Sequence, residues 1–219
     1  MSTYSTVVKF FQDSGFFIYP SILIMAVGFA IALERFFYLS HARRSNRKMW
    51  DELLPLLQGG EFQEAYSATA KSKTAIGKIV NSGLRRVKSA RRREDLDAAM
   101  EEGMMEIVPR LEKRTHYIAT FANVITLVGL LGTIIGLIKA FTAVAQVNPA
   151  EKAELLSASI SIAMNNTAFA LMVAIPFLLI HAVLQARTSE IVDSLEVAKL
   201  SFLNLVERVK LRYRKRVVV

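Results

Sequence analysis

Hydrophobic residues gather into three long runs along the chain, each bounded by charge. Residues 15–33 carry no charge before Glu34 and Arg35, residues 115–138 none between Arg114 and Lys139, and residues 155–186 none before Arg187. About 20 apolar residues cross a bilayer as a helix. The pattern therefore predicts three transmembrane helices, at residues 15–38, 115–140 and 155–186. A cleaved signal peptide is the alternative for the first run, but the run is too long for a signal core. Pro20 and the bulky residues up to Glu34 also leave no small-residue cleavage site.

Between the runs the pattern is helical. Gly59-Gly60 interrupts the chain after an apolar-rich stretch, and Thr74 is placed to cap a helix carrying Ile76, Ile79, Val80, Leu84 and Val87. Leu96, Met100, Gly103, Ile107 and Leu111 recur at helical spacing up to the second run, which predicts one long helix entering the membrane. After the third run, Ile191, Leu195, Ala198, Phe202, Leu205 and Val209 step by fours and threes, an a/d seam that wants a partner helix. Self-association and packing against the 89–114 helix are equally compatible with that seam. No stretch alternates with a strand period, so the fold class is an all-α membrane protein with three transmembrane helices and long helical extensions.

Charge then orients the chain. Residues 34–114 hold 17 Lys+Arg and 12 acids, and the segment from Arg187 onward holds 8 and 4. Residues 1–14 and 139–154 together hold only 3 of each. By the positive-inside rule, residues 1–14 are an outer, periplasmic segment, 39–114 a cytoplasmic helical region, 141–154 a periplasmic loop and 187–219 a cytoplasmic C-terminal helix. The net charge of +9 is thus mostly topological. Arg91, Arg92 and Arg93 lack the aromatic interleaving of a nucleic-acid surface, so they read as juxtamembrane charge and no nucleic-acid partner is expected. Phe10, Phe11 and Phe16 near the first span suggest an amphipathic anchor along the outer membrane surface.

Composition narrows the chemistry. The 219 residues are 53% hydrophobic with a mean hydropathy of +0.33 and no cysteine, which excludes a disulfide scaffold, a thiolate metal site and a cysteine nucleophile. No nucleophile, base and orienter cluster, metal-ligand spacing or phosphate loop stands out, so neither an enzyme nor a cofactor is expected.

Inside the spans the polar residues are informative. On the second span Gly129, Gly132, Gly136 and Ala140 fall within about 80° of one another at 100° per residue, flanked by Thr126 and Thr133. Gly132 and Gly136 form a GxxxG pair suited to close helix packing. On the third span Ser157, Ser161 and Asn165 share one face, Ser159 and Asn166 another, and Thr167 lies between. A lipid-facing Asn is expensive, so these groups face other helices or a water-accessible path. No Asp, Glu, Lys or Arg lies in the core of any span; His116 and His181 sit near span ends and read as interfacial or packed. If ions cross here, a second polypeptide brings the acid.

These residues carry a resemblance. "IVPRLEKRTHYIATFANVITLVGLLGTIIGLIKAF", followed by "SIAMNNTAFALMVAIP", resembles the MotA/TolQ/ExbB proton channel family, and "ALERF" at the end of the first span is similar to its N-terminal signature. The three-span layout resembles the ExbB/TolQ branch. The resemblance implies a homo-pentameric ring in a bacterial inner membrane, enclosing a dimeric single-span ExbD/TolR-like partner whose Asp carries the proton. It also implies transfer of energy to a TonB- or TolA-like periplasm-spanning protein. By motif position Thr133 and Thr167 would line the ion path, with Thr126, Ser161, Asn165 and Asn166 as further lining. Two departures stand out: Ile162 occupies the position of a family Glu, and Thr126 follows "ANVI" where the family tends to have Pro. With that Glu gone the coupling ion is H⁺ or Na⁺, since clustered hydroxyls and amides suit a hard cation. A non-conducting membrane scaffold is the competing class.

Overall fold

A computed structural model of the chain describes residues 16–90, 92–145 and 147–217, with side chains through Arg212. The anchor expected within residues 1–14 lies outside the described residues. The described residues form six helices: α1 (Ile18–Gly59), α2 (Phe62–Ala70), α3 (Ala75–Arg86), α4 (Arg93–Glu112), α5 (Thr115–Val144) and α6 (Lys152–Val217). Three helical stretches, within Ile18–Gly59, Arg93–Val144 and Lys152–Arg212, are long and apolar enough to cross a membrane. The chain is an all-α, multi-pass membrane protein. It divides into two compact units, one made of residues up to Glu34 with Arg114–Val183, the other of Arg35–Lys113 with the residues from Leu184 onward.

The first unit holds the apolar parts of α1, α5 and α6. Its packing uses small residues against large ones: a Cβ on Gly28 would lie 2.8 Å from Phe177 Cζ and 3.4 Å from Phe121 Cδ2, so only glycine lets α1 come that close. Ile118, Ala122, Ile125, Ala163, Ala170 and Phe177 are buried. Yet the most apolar windows of the three spans are only 22%, 22% and 33% buried. Leu23, Leu127, Leu130, Ile138, Met172 and Leu179 are exposed, a pattern that suits lipid or neighbouring protein as the covering medium.

The second unit is a helical cluster with an ordinary soluble core. α1 ends at Gly59, and Gly60 takes φ 80°, the left-handed conformation that glycine adopts without strain. Thr74 caps α3 by accepting from Gly77 N–H at 3.1 Å, and buries Ile76, Ile79, Val80 and Leu84 as their spacing predicts. Gly83 sits where a Cβ would meet Phe202 at 2.8 Å and Met100 Cγ at 3.0 Å, which brings α3 against both α4 and α6.

The a/d seam of α6 finds its partner within the chain. Ile191, Leu195, Ala198, Phe202 and Val209 are buried, and the flanking charges bind α4: Lys199 Nζ lies 2.6 Å from Glu101 Oε2 and 3.2 Å from Asp97 Oδ1, and Arg93 Nη1 lies 2.8 Å from Glu207 Oε2. Packing against the 89–114 helix is thus realised within the chain, and it is compatible with self-association as well. Leu205 is only half-buried and Val206 takes its place at 1% exposure, because a straight helix drifts off a strict heptad.

The expectation of one uninterrupted helix from Leu96 into the second span is corrected. α4 stops at Glu112, Lys113 is extended (φ −49°, ψ 134°) and Arg114 is left-handed (φ 68°, ψ −15°) before α5 begins. Neither glycine nor proline occupies the break itself, so local propensity gave no warning of it. Arg114 Nη1 instead holds Glu34 Oε2 at 3.1 Å, an ion pair at the charged edge of the first two apolar runs.

Candidate functional site in the apolar helices

The chemically distinctive place in the first unit is where α5 and α6 touch. The contact runs antiparallel in near-constant register. A Cβ on Gly129 would collide with Ala170 Cβ, one on Gly132 would lie 3.3 Å from Asn166 Cβ, and one on Gly136 2.8 Å from Ala163 Cβ. Gly129, Gly132, Thr133 and Gly136 therefore face Ala163, Asn166, Thr167 and Ala170, each set spaced i, i+3, i+4, i+7. Small side chains let the two backbones approach, as expected for helix packing in lipid.

At the centre of this contact Thr133 Oγ1 and Thr167 Oγ1 are hydrogen-bonded to each other. Thr133 Oγ1 also lies 3.2 Å from the Gly129 carbonyl and 3.3 Å from the Ala163 carbonyl, and Thr167 Oγ1 lies 3.1 Å from that same Gly129 carbonyl. Each hydroxyl has one proton to donate. Two arrangements satisfy both: Thr133 donates to Thr167 while Thr167 donates to Gly129 O, or Thr167 donates to Thr133 while Thr133 donates to Gly129 O or Ala163 O. Neither arrangement orphans a buried donor, which a low-dielectric site would penalise.

The remaining polar residues separate into groups. Asn166 is 6% exposed, and its Oδ1 accepts no hydrogen bond among the described residues. Asn165 is half-exposed and Ser161 exposed, on parts of α6 that this chain leaves uncovered. Thr126 returns its hydroxyl to Ala122 O on its own helix at 2.9 Å and lies two turns from the Thr133–Thr167 pair. Thus Thr133, Thr167, Asn166, Gly129, Gly132 and Gly136 meet in one contact, and Ser161, Asn165 and Thr126 do not join it. Ile162, at the position of the missing Glu, is 39% exposed. His116 is exposed beside Tyr117, with ring centroids 5.9 Å apart.

Comparison with known proteins accords with this geometry. The family model described as the MotA/TolQ/ExbB proton channel family matches residues 71–197, more than half of the chain and all of the α5–α6 contact. The chain belongs to that family. This family member is also 26% identical over 198 residues to a curated Methanothermobacter thermautotrophicus (strain Delta H) protein named as a biopolymer transport protein ExbB homolog. The aligned region covers 90% of this chain and 69% of that protein, and the likeness is to ExbB.

Charged contacts that the sequence left unread lie in the second unit. Arg187 stacks over the Phe36 ring at 4.4 Å, Arg35 over Tyr38 at 4.7 Å, and Arg43 pairs with Glu190 at 3.0 Å. Glu101, and after it Asp97, hold the Lys199 ammonium above its ordinary 10.5, against the opposing pull of burial. Among the described residues no group of three or more His, Asp or Glu side chains is placed to hold a metal ion.

Proposed function

We propose that this family member is the ring subunit of an ion-gradient-driven motor in a bacterial inner membrane. Its N-terminus is periplasmic and its large helical regions are cytoplasmic. Five copies enclose a dimeric single-span ExbD/TolR-like protein, whose membrane Asp supplies the titratable group that the spans of this chain lack. Thr133 and Thr167 stand beside that acid, with Asn166, Asn165 and Ser161 as further polar lining. The ion is H⁺, with Na⁺ the alternative that the missing Glu at Ile162 leaves open. The subunit is not an enzyme and carries no cofactor. Each elementary charge crossing 100 mV supplies about 2.3 kcal/mol, so several crossings suffice for mechanical work on a TonB- or TolA-like periplasm-spanning protein.

The observation that carries this reading is the uncovered polar surface of α6. Ser161 is exposed and Asn165 half-exposed within an apolar span, and lipid cannot satisfy them. Ser161 can return its hydroxyl to its own helix, whereas the Asn165 amide, with two donors and an acceptor, calls for another protein chain or a water-bearing path. Native mass spectrometry of the protein gently extracted from its own membranes tests the assembly: a ring of identical subunits carrying fewer copies of a small single-span protein with a membrane Asp is expected. A bare monomer or dimer would favour the second reading, a structural scaffold. That reading has its own support, because both threonine hydroxyls are already satisfied by the α5–α6 contact.

A further inference from the structure

The net charge of the chain is concentrated at one end of the second unit. Residues 85–95 and 203–219 together hold 12 Lys+Arg and 3 acids, an excess equal to the +9 of the whole chain. The charges of all other segments therefore cancel. The two segments meet in the structure: Arg93 Nη1 holds Glu207 Oε2 at 2.8 Å, and Lys210 Nζ donates to the Ala90 carbonyl at 3.2 Å. Arg85, Arg86 and Lys88 around the end of α3 are exposed, as are Arg92 and Arg93 at the start of α4 and Arg208, Lys210 and Arg212 on α6. Of these cations only Arg93 is held in an ion pair by a carboxylate among the described residues. Like charges crowded in this way repel one another, and an anionic partner relieves the repulsion.

The membrane that holds the spans is too far away to be that partner. Glu207 stands 20 residues beyond Arg187 on the continuous α6, about 30 Å along the helix at 1.5 Å per residue. The headgroup layer extends only about 7 Å beyond the hydrocarbon, and charge is screened within about 8 Å at physiological ionic strength.

Between the start of α4 and the last turns of α6 this charged end opens a recess of about 200 Å³. Arg92, Arg93 and Lys210 are its exposed cations, Glu207 is engaged by Arg93, and its buried side includes Leu96 and Val206. Leu211 also lines it and is 53% exposed. A single strand of nucleic acid takes hold by stacking its bases on aromatic faces, and the described lining of this recess is aliphatic and charged. Aliphatic surface ringed by guanidinium and ammonium groups suits a chain that offers carboxylates and an apolar side chain together. We infer that this end docks an acidic, leucine-bearing segment of another protein, with its carboxylates on Arg92 and Lys210 and an apolar side chain against Leu211. The inference is independent of the ion path, since none of these residues belongs to the apolar contact of α5 and α6.

The test uses the full chain in nanodiscs of zwitterionic phosphatidylcholine and a fluorescein-labelled amphipathic peptide, glutamate on one helical face and leucine on the other, followed by anisotropy. Saturable binding is expected, with Lys210→Glu weakening it by about tenfold or more and Leu211→Ser by about fivefold. Both side chains are exposed, so neither change reaches the core. Arg44→Glu makes the same charge change at an exposed position on α1 and must leave binding unchanged; an equal loss there would overturn the assignment. Equal binding of a peptide with serine in place of leucine, measured on the parent protein, would overturn it too, because bare charge would then suffice. Poly(U) RNA held as tightly as the peptide, and indifferent to Leu211→Ser, would give this end to nucleic acid instead. No saturable binding of the peptide overturns the proposal.

Discussion

Gly129 and Ala170 face each other so closely across α5 and α6 that a methyl group at Gly129 would collide with the Ala170 Cβ. Gly129→Ala is therefore expected to force the helices apart and to destabilise the protein by about 2 kcal/mol, the usual scale of overpacking. Ala170→Gly in the same chain returns the space. Thermal denaturation in detergent of the two single variants and the double variant reads the coupling, and strictly additive losses would refute the contact.

Thr133→Val and Thr167→Val separate conduction from packing. In Thr133→Val the Thr167 hydroxyl still reaches Gly129 O, and in Thr167→Val the Thr133 hydroxyl still reaches Gly129 O and Ala163 O. Neither change leaves a donor unpaired, so each is expected to cost less than about 1.5 kcal/mol and to spare assembly. Ion flux in proteoliposomes containing the partner protein is expected to be abolished in both. Undiminished flux would remove the two threonines from the ion path.

Lys199 fastens the tail of α6 to α4 and sets an alkaline limit. Its pKa is raised in the folded state, so its contribution is complete below the ordinary value of 10.5 and is lost as pH climbs through the higher folded value. Lys199→Met is expected to cost about 1 kcal/mol at neutral pH. It is also expected to flatten the loss of stability that the raised Lys199 pKa predicts for the parent above pH 10.5. Chemical denaturation followed at pH 8 and pH 11 checks both, and parallel pH profiles for the two proteins would contradict the assignment.

Arg114 tests the helix break. Its φ of 68° is unfavourable for any side chain and worst for a β-branched one, while its ion pair with Glu34 is about half exposed and worth little. Arg114→Gly should be nearly neutral, and Arg114→Val should cost roughly 1–2 kcal/mol. Melting temperatures of the two variants distinguish this from an uninterrupted helix, in which glycine would be the worse substitution.

The spans were legible because a bilayer imposes a length and an absence of charge that few other environments demand. The small-residue face of Gly129, Gly132 and Gly136 was equally legible, since helical periodicity places it without knowledge of its partner. What periodicity cannot supply is the partner. It gathered Thr126 with Thr133 although Thr126 bonds to its own helix, and it left open which helix would cover Ile191 and Phe202. The hydrogen bond that Ile76 N–H donates to Asn46 Oδ1 at 3.2 Å was invisible because the two residues lie 30 positions apart in the sequence. The break at Lys113–Arg114 was hidden because both residues have helical preferences of their own.

The hydroxyl pair at Thr133 and Thr167 has a consequence for direction. Its two donor arrangements contain the same number of hydrogen bonds and differ only in which way the O–H groups point. Rotation of two hydroxyls exchanges them with no movement of either helix. The pair is thus a reversible dipole set in a rigid frame of peptide groups, able to follow the sign of a nearby charge without altering the packing that holds it.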